Sequence, residues 1–133
     1  MQEVMLWIGA GQIGMAIARR MGYNKKIVVG DKKWDNAQAI AKIMRDAGFD
    51  IEAAEADLSS RESIKELITR AQKYGEITML INSAGVSPSQ ASIETILKVD
   101  LYGTAVLLEE VGKVIGKGGA TASYFYGPLK PEK

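Results

Sequence analysis

The sequence predicts a doubly wound α/β fold: a parallel sheet of about five strands in the order 3-2-1-4-5, covered by helices on both faces to make three layers. Three observations carry that expectation. Apolar runs of strand length alternate with segments of helical periodicity, the pattern of successive βαβ units. The strand runs are continuously apolar, as at Ile27-Val28-Val29, which suits burial from both sides. The first run ends at Ile8 and leads straight into Gly9-x-Gly11-x-x-Gly14 and a helix.

The elements follow in order. Residues 4–8 form the first strand. The helix behind it places Ile13, Ala16, Ile17 and Met21 on its inward face, with Gly22 as its stop. Residues 26–30 are the second strand, and Asp31 sits at its end. The second helix sets Ala37, Ile40, Ala41, Met44 and Ala47 on one face and is closed by Gly48. Residues 49–56 are a third strand, the weakest of the set. Ser59-Ser60-Arg61-Glu62 reads as a capping box, with Ser59 and Glu62 satisfying each other's free amides. It opens a helix with Ile64, Leu67, Ile68 and Ala71 inward. Residues 77–81 are the fourth strand, followed by the loop Asn82-Ser83-Ala84-Gly85. A second capping box, Ser87-Pro88-Ser89-Gln90, starts a helical stretch reaching about Gly116. Its stripes, one through Leu97, Leu101, Leu108, Val111 and Ile115 and another through Val106, Leu107 and Val114, make it apolar on two sides. Residues 120–126 are the fifth strand, and 127–133 form a tail.

Composition narrows the chemistry. A chain of 133 residues with 47% apolar and 25% charged residues has room for one domain, over residues 1–126, with a sizeable core. A net charge of +1 gives no sign of a nucleic-acid or membrane-surface partner. No apolar run spans a bilayer, and no basic segment precedes an apolar one at the N-terminus, so the expected location is cytoplasmic. With no Cys and no His, this chain offers no thiolate or imidazole, and no metal site is expected. Acid–base work falls to Tyr, Lys, Asp, Glu or water.

The candidate site is a dinucleotide cradle. Gly9 permits the tight bend, Gly11 lets the backbone approach a pyrophosphate, and Gly14 lets the helix lie close to its strand. Gln12 and Ile13, at the start of the helix, belong to the same cradle. The alternative is a glycine-rich turn without a ligand. Asp31 is placed to accept from the adenosine ribose hydroxyls and to repel a 2′-phosphate, which favours NAD. Lys32 and Lys33 point the other way, towards NADP, and a solvated or capping carboxylate is the plain alternative for Asp31. Asp57 is placed to accept from an adenine amine, and Leu58 to offer backbone groups and an apolar contact to the ring. An Asp in a turn ahead of a helix also needs no ligand.

These residues, with Ala56-Asp57-Leu58-Ser59, Asn82-Ser83-Ala84-Gly85 and Lys98-Val99-Asp100-Leu101-Tyr102-Gly103-Thr104, resemble the short-chain dehydrogenase/reductase family over residues 3 to about 120. The resemblance implies a Rossmann fold in which Asn82, Ala84 and Gly85 wall the adenosine side and hold the central strands. It implies hydride transfer between a nicotinamide and a hydroxyl or carbonyl carbon, with a Tyr as acid/base and a Lys lowering its pKa. The chain departs from the family pattern in three places. The glycine turn is one residue shorter and has Ile8 where Thr is common. Asp100 stands in place of an Asn that helps hold a water. Tyr126-Gly127-Pro128-Leu129-Lys130 matches Tyr-x-x-x-Lys as a string, but Gly127 and Pro128 oppose a helix there and Ser123 lies too near Tyr126. No catalytic residue is therefore assigned. The expectation is an NAD(P)-binding domain with little or no independent turnover. The alternatives are a non-catalytic nucleotide-sensing or interaction module, a truncated product of a dehydrogenase gene, and a flavin or S-adenosylmethionine site. The open fifth-strand edge and the doubly apolar helix 97–115 predict a homo-oligomer.

Overall fold

The computed structural model describes residues 2–83, residues 102–115 and the backbone of 120–123. Its elements are β1 (Glu3–Ile8), α1 (Gln12–Met21), β2 (Lys26–Asp31), α2 (Trp34–Asp46), β3 (Asp50–Glu55), α3 (Arg61–Gln72), β4 (Glu76–Asn82), α4 (Thr104–Gly112) and β5 (Ala120–Ser123). The five strands pair in parallel in the order β3-β2-β1-β4-β5, as the sequence predicts. The strand order reverses between β1 and β4, so the switch-point crevice opens at their carboxyl ends.

The two cores follow from the period-2 alternation of buried strands. Val4, Leu6 and Ile8 of β1 and Val28 of β2 pack with Ile64, Leu67, Val106 and Leu107 on the face covered by α3 and α4. Met5, Trp7, Ile27 and Val29 pack with Ala18, Ile40, Ala41 and Met44 on the face covered by α1 and α2. In β4 the register against β1 shifts between Val4 and Met5. The extra residue, Thr78, reverses the alternation, which is how Ile77 and Leu80 come to share one core and Met79 and Ile81 the other.

Four local expectations are corrected. In α1 the buried residues are Gly14 and Ala18, not Ile13, Ala16 and Met21. The Trp7 indole fills the space beneath the helix, so the line of contact takes the smallest residues and turns the larger ones outward. In α2, Ala47 is the exposed C-cap rather than part of the inward face, and Gly48 follows at φ +97°. The helix α3 is capped by Ser60, whose hydroxyl accepts from Ser63 N–H at 3.2 Å. Ser59 is instead drawn into the preceding turn, where its N–H and hydroxyl donate to Asp57 Oδ1 at 2.9 and 2.7 Å. In α4, Leu108 is exposed while Val106, Leu107 and Val111 are buried. Leu97, Leu101 and the second capping box lie outside the described residues.

Candidate functional site

The strand register brings the candidate residues to one end of the sheet. Ile8 lies beside Gly30 on one side and Asn82 on the other, and Asp31 lies beside Glu55. The glycine turn leaves β1 at this end. Gly9 takes φ +92°, a conformation that only glycine adopts without strain, and its N–H donates to Gly30 O at 2.8 Å. Gly11 is the N-cap of α1 and carries no capping side chain. A Cβ built on Gly11 would meet nothing within 4 Å, so the turn faces open space there. The first-turn amides of a helix have no acceptor within the helix. Those of Gln12 and Ile13, both exposed, stand behind this opening.

Gly14 meets a different requirement. A Cβ there would lie 2.2 Å from Trp7 Nε1 and 2.6 Å from Ser83 Oγ. Its glycine is what lets α1 rest on β1 and on the loop after β4. Trp7 is fully buried, and its indole N–H donates to Gly9 O at 2.9 Å. Ser83 Oγ donates to the same carbonyl at 2.7 Å. Trp7 and Ser83 support the turn from below and were not among the sequence candidates. An aromatic residue so close to a glycine turn and a hydroxyl after Asn82 were the available signals.

Asp31 is held by the backbone. Its Oδ2 accepts from Ala10 N–H and its Oδ1 from Lys33 N–H, each at 2.8 Å. It thus joins the glycine turn to the start of α2. Lys32 is exposed beside it. Asp57 organises the turn ahead of α3, where its N–H also donates to Ser63 Oγ at 2.9 Å. Leu58 is a correction: its side chain is buried in the core and does not stand open to a ring. The reason is α4. A Cβ on Gly103 would lie 2.6 Å from Leu58 O and 2.8 Å from Leu58 Cβ, so Leu58 is the floor on which α4 begins.

Asn82 is buried, and its Nδ2 donates to Thr104 Oγ1 at 3.2 Å, tying the end of β4 to the start of α4. This accounts for the motif pair read in the sequence, since Asn82 and Gly103-Thr104 hold one junction. Ala84, Gly85, Asp100, Tyr126 and Lys130 lie outside the described residues. Ser123 is described only as backbone, paired with Asn82 at the end of β5. Among the described residues no group of three or more Asp or Glu side chains is arranged to hold a metal ion. Nor is any helix among them long and apolar enough to cross a membrane.

A doubly wound parallel sheet with an uncapped helix behind a glycine turn at its switch point is the architecture of the nucleotide-binding α/β proteins. More narrowly, this chain belongs to the short-chain dehydrogenase family, whose family profile matches residues 3–120. It is 41% identical over 121 residues to "Short-chain dehydrogenase/reductase bsc3" of Alternaria brassicicola, covering 89% of this chain and 43% of that protein. Solved structures share the fold. A short-chain dehydrogenase/reductase of the glucose/ribitol dehydrogenase type from Brucella melitensis matches 92% of this chain and 58% of its own, with TM-score 0.77 at 21% identity. One from Burkholderia phymatum in complex with NAD matches 86% and 44%, with TM-score 0.74 at 22% identity. The chain spans less than half the length of the curated relatives it matches.

Proposed function

We propose that this chain is the dinucleotide-binding part of a short-chain dehydrogenase/reductase. It seats NAD(P) across Gly9, Gly11, Gln12, Ile13 and Gly14, with Asp31 and Lys32 on the adenosine ribose, Asp57 and the backbone of Leu58 on the adenine, and Asn82, Ala84 and Gly85 along the adenosine wall. The observation that carries this reading is the open space over Gly11 in front of the uncapped first turn of α1. A pyrophosphate fits there, because a helix N-terminus combines free N–H donors with the positive end of the helix dipole. Bound in this cradle, the nicotinamide would supply hydride transfer to or from a carbonyl or hydroxyl carbon. NAD is favoured over NADP, since Asp31 sits at the ribose position and would repel a 2′-phosphate. Lys32 opposes that preference. The chain alone is proposed to turn over little or no substrate.

The family's NAD-bound member from Burkholderia phymatum supports the choice of cofactor class. The exposed Tyr102, just ahead of α4, and the exposed Leu108 within it support a homo-oligomer formed through the segment 97–115, with the outer edge of β5, the last strand among the described residues, as the other candidate surface. A cytoplasmic location, with neither nucleic-acid nor membrane partners, completes the reading.

The test is a titration of the chain with NADH and, separately, NADPH, followed by nicotinamide fluorescence. Saturable binding, tighter for NADH, is expected. No binding of either up to millimolar concentrations would overturn the dinucleotide reading, leaving an interaction module.

A further inference from the structure

We propose that the peptide unit joining Gly9 to Ala10 is clamped at both ends by Trp7, Ser83 and Asp31, and that this clamp positions the dinucleotide turn. For the nucleotide it rests on the reading above; the clamp itself stands on the hydrogen bonds alone. A trans peptide is planar, so its C=O and N–H point in opposite directions. At the oxygen end, Gly9 O accepts from Trp7 Nε1 at 2.9 Å and from Ser83 Oγ at 2.7 Å. At the nitrogen end, Ala10 N–H donates to Asp31 Oδ2 at 2.8 Å. The three holding residues come from β1, the loop after β4 and the end of β2, so the clamp uses all three central strands.

Each partner has a physical reason to hold. The Trp7 indole is fully buried, and its N–H must find an acceptor. Ile8, the last residue of β1, offers no hydroxyl, and Ser83 provides one from the loop after β4. Fixing the Gly9–Ala10 plane leaves the following backbone little freedom. Gly11 N–H turns back to Gly9 O at 2.9 Å, and Met15 N–H takes Gly11 O at 3.0 Å. The first-turn amides of α1 are thereby aimed before any ligand arrives. Trp7 and Ser83 are positioning residues that act through the Gly9 carbonyl. Asp31 couples the pyrophosphate side of the site to the ribose side, because one carboxylate serves both.

The experiment compares the 133-residue chain with Trp7→Phe, Ser83→Ala and Ser83→Thr variants. Two quantities are read: hydrogen exchange of the Ala10 amide without ligand, and the Kd for NADH. In the unaltered chain the Ala10 amide is expected to be protected. Trp7→Phe and Ser83→Ala should each speed its exchange while amides of the β1 and β2 cores stay protected, and each should weaken NADH binding about fivefold, the worth of one net hydrogen bond. Ser83→Thr keeps the hydroxyl and should restore both. Unchanged Ala10 exchange in Ser83→Ala would overturn the clamp, even if Trp7→Phe fails to fold. Faster exchange with unaltered NADH affinity would overturn its positioning role. If the unaltered chain takes up no NADH, the dinucleotide reading and the positioning role fall together, while the exchange measurement still decides the clamp.

Discussion

At the scale of single residues, Gly11 and Gly14 look alike in the sequence and differ in what surrounds them. A Cβ on Gly14 would lie 2.2 Å from Trp7 Nε1 and 2.6 Å from Ser83 Oγ, whereas a Cβ on Gly11 would meet nothing within 4 Å. Gly14→Ala should therefore destabilise the fold by about 1–3 kcal/mol, as overpacking does, seen as a lower urea midpoint. Gly11→Ala should leave the stability within about 0.5 kcal/mol of the parent. It should weaken NADH binding by about tenfold or more, because a methyl group then stands where the pyrophosphate approaches; equal affinity would remove Gly11 from the site. Asp31 behaves differently from a carboxylate that only reads the ribose. Replacing it with Ser frees Ala10 N–H and Lys33 N–H together, so NADH and NADPH should both bind more weakly. Tighter NADPH binding would show that Asp31 acts by charge repulsion alone. The glycine pattern and Asp31 were legible as types at a spacing. Trp7 and Ser83 were not, because the carbonyl they share is assembled from strands far apart in sequence.

At the scale of elements, α3 and α4 show where local signals compete. Two serines precede α3, and Asp57 takes the first into its own turn, leaving Ser60 as the cap. Ser60→Ala should cost about 1 kcal/mol of stability and more than Ser59→Ala; the reverse order would restore the capping box at Ser59. The helix α4 is fastened to α3 by Arg61, which pairs with Glu109 at 3.0 Å and with the buried Glu110. Burial of Glu110 works to raise its pKa, but Arg61 and Lys113 outweigh it and hold the carboxyl below its ordinary value of 4.5. A carboxyl depressed on folding stabilises the fold above its unfolded pKa, and that contribution is lost as pH falls through the folded value. The α3–α4 junction should thus be insensitive to pH near neutrality and loosen only below about pH 4.5. Glu110→Gln should flatten that acid limb in urea midpoints measured against pH. An unchanged limb would assign the acid sensitivity to other carboxylates.

At the scale of the whole molecule, the sheet is buried by helices on both faces, while Tyr102, just ahead of α4, and Leu108 within it are exposed. Sedimentation at tens of micromolar should give a dimer, and Leu108→Glu should return it to a monomer; a monomeric parent chain would overturn the proposed pairing. The fold itself was readable from the chain. Alternating strand and helix periods specify the elements, and continuous apolar runs specify a sheet covered on both sides. Parallel strands joined through helices then leave few orders to choose from, and β3-β2-β1-β4-β5 is the one found. Periodicity proved weaker at choosing the contact face of α1, where Trp7 occupies the volume and small residues prevail. It was weaker again at Leu58, whose apolar side chain serves equally well against a ring or beneath a helix until α4 is docked on it. Sequence patterns record which residues are apolar, small or able to cap, because these preferences act over a few neighbouring positions. Which partner each residue meets depends on strands and helices brought together over long separations, and the clamp on Gly9–Ala10 arises only in that assembly.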